Sequence, residues 1–102
     1  MHPVVERRQE AIRQVCSRHR LRWLDACGWT PCAEPGGEPG WVGFLVELDD
    51  LEPAEFAETY FSLTEALEAL LAHRVELIVE SAVTNPHLSE LLNASRLRLY
   101  GT

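Results

Sequence analysis

The chain has 102 residues, enough for one compact domain over 1–102 and too few for a second. Hydrophobic residues make up 46%, sufficient for a core, yet no apolar stretch approaches the roughly 20 residues that cross a bilayer, so no membrane partner is expected. The net charge is −7, which argues against nucleic acid as a partner, because an acidic surface repels a phosphate backbone. The first residues do not pair a basic start with an apolar run, so no signal peptide is expected and the cytoplasm is the expected location.

Residues 4–19 are expected to form a helix, with Val4, Ile12, Val15, Cys16 and His19 on one face. All nine basic residues of the chain are arginines, and six of them (Arg7, Arg8, Arg13, Arg18, Arg20 and Arg22) precede Trp23. Such a run reads first as the solvated side of a helix and second as a phosphate-facing patch. His19 reads as a packing or helix-terminal residue. Leu21 to Cys27 has a strand pattern, with Leu21, Trp23 and Asp25 assigned to one face and Arg22, Leu24 and Ala26 to the other. Residues 28–40 hold three prolines and four glycines and read as a loop.

Trp41 to Leu48 is the best strand. Trp41, Gly43, Leu45 and Glu47 point one way, and the wholly apolar Val42, Phe44, Val46 and Leu48 the other. Asp49 and Asp50 end it and are expected to precede or cap the next helix. That helix spans 53–72, opens on Pro53, and carries Phe56, Tyr60, Leu63, Leu67, Leu70 and Leu71 at spacings of three and four. Ser62 with Glu65 has the form of a capping box, which would break the helix near Phe61. Arg74 to Glu80 alternates as a strand. A closing helix follows, capped by Asn85, started by Pro86, striped by Leu88, Leu91, Leu92 and Leu99, and ended by Gly101.

The order α-β-β-α-β-α implies a mixed α/β (α+β) domain, a small mixed sheet of about three strands covered by helices. The three cysteines (Cys16, Cys27 and Cys32) are too few and uneven for a disulfide framework and read as packed thiols. Cys27, Cys32 and His19 lack the fourth ligand and the spacing of a zinc site.

The segments "GFLVEL", "SLTEALEALLAHRVELIVESAVTNP" and "NPHLSELLNASRLRLYG" resemble the minimal nucleotidyltransferases of the DNA polymerase beta-like superfamily. The resemblance covers nearly the whole chain and is densest in its second half. It implies a Gly-Ser turn that holds nucleotide phosphates, an Asp-x-Asp pair on the second strand, and a third carboxylate on the next strand. Together these carboxylates hold the divalent metals of nucleotidyl transfer.

Residue by residue, the pattern is broken here. Gly28 matches the turn glycine, but Trp29 stands where the serine belongs. Trp41 and Gly43 occupy the former metal-ligand positions, and Glu76 occupies that of the third carboxylate. Glu47 and Glu76 are remnant carboxylates and weak metal candidates, with Asp49 and Asp50 nearby in sequence. No catalytic residue, metal or cofactor is expected. Magnesium and ATP enter only on the alternative of an active, remodelled nucleotidyltransferase. The resemblance also implies a partner. Minimal members in bacteria resemble antitoxins that pair with a small all-helical protein, and a homodimer is equally compatible.

Overall fold

The computed structural model describes residues 3–27 and 41–101, with the side chain of Trp41 outside that set. Gly28, Trp29, Cys32 and the rest of the 28–40 stretch therefore lie outside the described residues.

Two helices open the chain, α1 (Pro3–Arg7) and α2 (Gln9–Ser17), where one was expected. Arg8 separates them with a non-helical backbone at φ −116° and ψ 19°, and no glycine or proline announces the break. Val5, Ile12 and Cys16 of this segment are buried in the core, and Val4 and Val15 pack against it. Strand β1 (Leu21–Cys27) pairs antiparallel with β2 (Trp41–Leu48). A bulge between Leu21 and Trp23 shifts the register, so Leu21 sits opposite Leu48 and Trp23 opposite Glu47. The expected common face for Leu21 and Trp23 is thereby corrected. Leu21 joins the main core beside Leu48, and Trp23 turns to the other side with Glu47.

Helix α3 (Pro53–Leu71) runs unbroken through Phe61, contrary to the capping-box expectation. Ser62 does not cap. Its hydroxyl bonds His19 Nε2 at 3.1 Å, while Leu63, Leu67 and Leu71 continue one buried stripe past it. The helix ends at Ala72, whose φ of 56° is left-handed and whose N–H donates to the Glu68 carbonyl at 2.8 Å. Strand β3 (Arg74–Val79) then pairs parallel with β2, and a 3-10 turn (Glu80–Ala82) follows. As an edge strand, β3 has backbone groups engaged by α3. Glu68 Oε2 accepts from Val75 N–H at 3.1 Å, and Tyr60 O–H donates to the Leu77 carbonyl at 2.7 Å.

Asn85 caps α4 (Pro86–Ser95) as expected, accepting from the N–H groups of His87 at 2.9 Å and Leu88 at 3.4 Å. The closing helix stops earlier than its leucine spacing suggested. Arg96 is extended, and Leu97–Tyr100 forms a fourth strand, β4, antiparallel to β1. Leu99 is therefore a strand residue, and Gly101 ends β4. Gly101 has φ +91°, and a Cβ there would lie 2.3 Å from the Arg22 carbonyl oxygen, so the strand end closes on β1 only with glycine.

The sheet is four-stranded in the order β3-β2-β1-β4. One face carries the main core. Leu24, Phe44, Val46, Val75 and Leu77 pack there with Ile12 and Cys16 of α2 and Leu63 and Leu67 of α3. On the opposite face Leu45 is buried, as is Leu92 on α4, and the two line one small cleft with Arg96. Among the described residues, no helix is long and apolar enough to cross a membrane.

Candidate functional site

Of the sequence-predicted positions among the described residues, Gly43, Glu47 and Glu76 fall on the sheet face away from the main core. Residues directly opposite in a ladder project to the same side. Cys27, Gly43 and Glu76 make one row across β1, β2 and β3; Asp25, Leu45 and Ile78 make the next; Trp23 and Glu47 make a third. The backbone of Trp41 pairs with Arg74 at the start of β2.

Gly43 and Glu76 are thus brought together, and Glu76 is partly exposed. Glu47 shares their face but lies four residues further along β2 than Gly43, roughly 13 Å at strand spacing. It accepts a hydrogen bond from Ser81 Oγ at 3.2 Å. Asp49 and Asp50 are exposed beyond the strand. They precede α3, but its N-cap is Glu52, with no side-chain capping bond. Asp49 is fixed by its backbone, donating N–H to the Arg20 carbonyl at 3.0 Å. Among the described residues, no cluster of three or more His, Cys, Asp or Glu side chains could hold a metal.

The middle of this face holds a group that sequence reasoning missed. Asp25 is only 2% exposed, on an interior strand. A buried carboxylate needs charged partners and hydrogen bonds. Arg96 Nε donates to Asp25 Oδ2 at 2.7 Å, and Arg98 Nε donates to Oδ1. Arg96 also reaches Glu80 Oε2 at 2.7 Å and Asn93 Oδ1 at 2.8 Å. Both guanidinium groups lie over the Trp23 ring, at 5.0 and 4.8 Å from its centroid. The Glu80 carboxylate is the largest influence on Arg96 and raises its pKa; burial opposes this and Asp25 adds to the rise. Two arginines, two carboxylates and one indole ring therefore form a closed, charge-balanced set. Its signal in the sequence was the alternation of Arg96, Leu97, Arg98 and Leu99, which a helix reading obscured.

Burial pushes both Cys16 and Cys27 up to about 12, so both are neutral thiols near pH 7. His19 is a packing residue, joining α2 to α3 through Nδ1 to the Val15 carbonyl (2.9 Å) and Nε2 to Ser62.

No protein-family model matches the sequence, and no curated protein matches it. Solved structures do. A protein described as a minimal nucleotidyltransferase has a TM-score of 0.67 and 25% identity, over 91% of this chain and 90% of that one. The chain has the minimal nucleotidyltransferase fold.

Two further likenesses are to toxin–antitoxin complexes. One is a tri-AMPylated Shewanella oneidensis HEPN toxin with MNT antitoxin, at TM-score 0.63 and 15% identity, over 95% of this chain and 72% of that one. The other is a toxin–antitoxin structure with AMP-PNP, at TM-score 0.61 and 15% identity, over 92% and 73%. At that identity these two speak to the fold alone. On the nucleotidyltransferase fold of this chain, the row of Gly43 and Glu76 carries a single carboxylate, and the next row is filled by Asp25 with its two arginines.

Proposed function

We propose that this chain is a degenerate nucleotidyltransferase-fold protein that performs no nucleotidyl transfer and acts as an interaction module. In this reading it works in the cytoplasm, antitoxin-like, with a small helical protein or a second copy as its partner. The observation that carries it is the Gly43–Glu76 row. Where the resemblance calls for three carboxylates, Trp41, Gly43 and Glu76 supply one.

Hard divalent cations are held by several oxygen ligands, and their charge sets the affinity. The neighbouring carboxylates do not make up the set. Glu47 is roughly 13 Å along the strand, and Asp25 is already bound to two arginines. The toxin–antitoxin complexes among the structural neighbours support a protein partner as the role that survives.

The test is incubation with labelled ATP, magnesium or manganese, and candidate acceptors including co-expressed helical proteins. No label transfer is expected, and a helical protein or a second copy is expected to co-purify. The remodelled-enzyme alternative needs metal between Glu47 and Glu76, helped by Asp49 or Asp50. Label transfer abolished by Glu76→Ala would establish that alternative and overturn this reading.

A further inference from the structure

Helices α2 and α3 lie side by side over the main-core face, α2 against β4 and α3 against β3. They run antiparallel. His19 and Arg20, just past α2, reach Ser62 and Glu55 in the first half of α3, while Arg7 and Arg8 share a cleft with Leu71 and His73 at its other end. Their charges are opposite. Residues 53–71 carry four glutamates and no cation, and residues 3–22 carry six arginines against two glutamates. Within the chain this complementarity is little used. Among the described residues, the one ion pair between the two segments joins Arg20 to Glu55.

The outer face of α3 also carries Phe61, 63% exposed and the most exposed large apolar side chain among the described residues. Glu58 and Glu65 flank it one turn away on either side. The exposed Ala54, Ala57 and Ala69 leave room for another helix to approach closely.

We propose that the α2–α3 layer is a two-fold dimer interface for a second copy of this chain. The proposal rests on the reading of the chain as an interaction module. A two-fold axis parallel to the two helices lays α2 of each copy over α3 of the other. The Arg18 end of one copy then meets the Glu55–Glu58 end of its mate, and the Arg7–Arg8 end lies toward the C-terminal half of α3, which carries Glu65. Phe61 is covered near the middle, as aromatic anchors at interfaces are. Because each copy offers both a basic and an acidic helix, the contact is self-complementary and closes as a dimer.

The test is sedimentation of the full chain at low and high salt. At low salt the mass is expected at twice the 11.5 kDa of one chain, with dissociation favoured by added salt. Glu58→Arg with Glu65→Arg, and separately Arg8→Glu with Arg18→Glu, are each expected to weaken the dimer at least about ten-fold. All four positions are exposed, and far-UV circular dichroism checks that the fold is kept. Phe61→Glu is expected to weaken it independently of the arginines.

Mixing the two charge-reversed chains is expected to restore a heterodimer, since both reversed contacts are again attractive. A monomer of 11.5 kDa at low salt overturns the proposal. So does a dimer indifferent to either double substitution, or a mixture that stays monomeric. A monomer that transfers no label from ATP sinks this dimer and leaves the helical-partner reading standing. An intact dimer that does transfer label sinks that reading and leaves the interface.

Discussion

Asp25 places a carboxylate on an interior strand, and its stability there depends on Arg96 and Arg98. Removing a partner from a buried pair strands the remaining charge and costs about 3–5 kcal/mol. Arg96→Met is therefore expected to lower the urea midpoint by an amount near the bottom of that range, because Arg98 remains. Arg96→Met with Arg98→Met should cost more than either alone. The thiols give a second prediction. In the unfolded chain Cys16 and Cys27 ionise near 9, whereas in the fold burial holds both protonated to about 12. Their contribution to stability is full below pH 9 and is lost as pH rises from about 9 to 12. Replacing both with valine should flatten that alkaline decline in chemical denaturation curves. At this scale the sequence placed Trp41 and Gly43 on the second strand and Glu76 on the third, where the structure has them. It did not disclose Asp25, because a lone aspartate in "LRWLDAC" looks like any strand residue until two distant arginines are folded onto it.

The elements were most legible where periodicity was long and the chain end was chemically marked. Strand β2, helix α3 and the Asn85 cap all follow from apolar spacing and turn chemistry. What escaped was set by tertiary contact. The bulge at Arg22 flips Leu21 across the sheet, Arg8 divides the first helix without a breaker residue, and Ser62 spends its hydroxyl on His19 instead of a cap. Residues 96–100 carry leucines that fit a helix stripe and an alternation that fits a strand, and pairing with β1 decides for the strand. Two substitutions test these ends. Ala72 adopts a left-handed backbone that favours glycine, so Ala72→Gly is expected to stabilise the protein by about 0.5–1 kcal/mol, read as a rise in Tm. Gly101→Ala forces a Cβ against the Arg22 carbonyl and is expected to destabilise by about 1–3 kcal/mol.

Across the whole molecule, the chain has the minimal nucleotidyltransferase fold, and on the reading proposed above Glu76 is what remains of the metal set. One layer of helices supports the sheet from the main-core side. On the other side α4 and the arginine–aspartate network lie over Leu45, beside the Gly43–Glu76 row. On the reading proposed above, the chain has lost the divalent metal binding that a working nucleotidyltransferase needs. Manganese titration followed by electron paramagnetic resonance measures it directly, since the free-ion signal falls as sites fill. The same free manganese signal is expected with the chain as with buffer. One saturable site per chain, lost in Glu76→Ala, would contradict it.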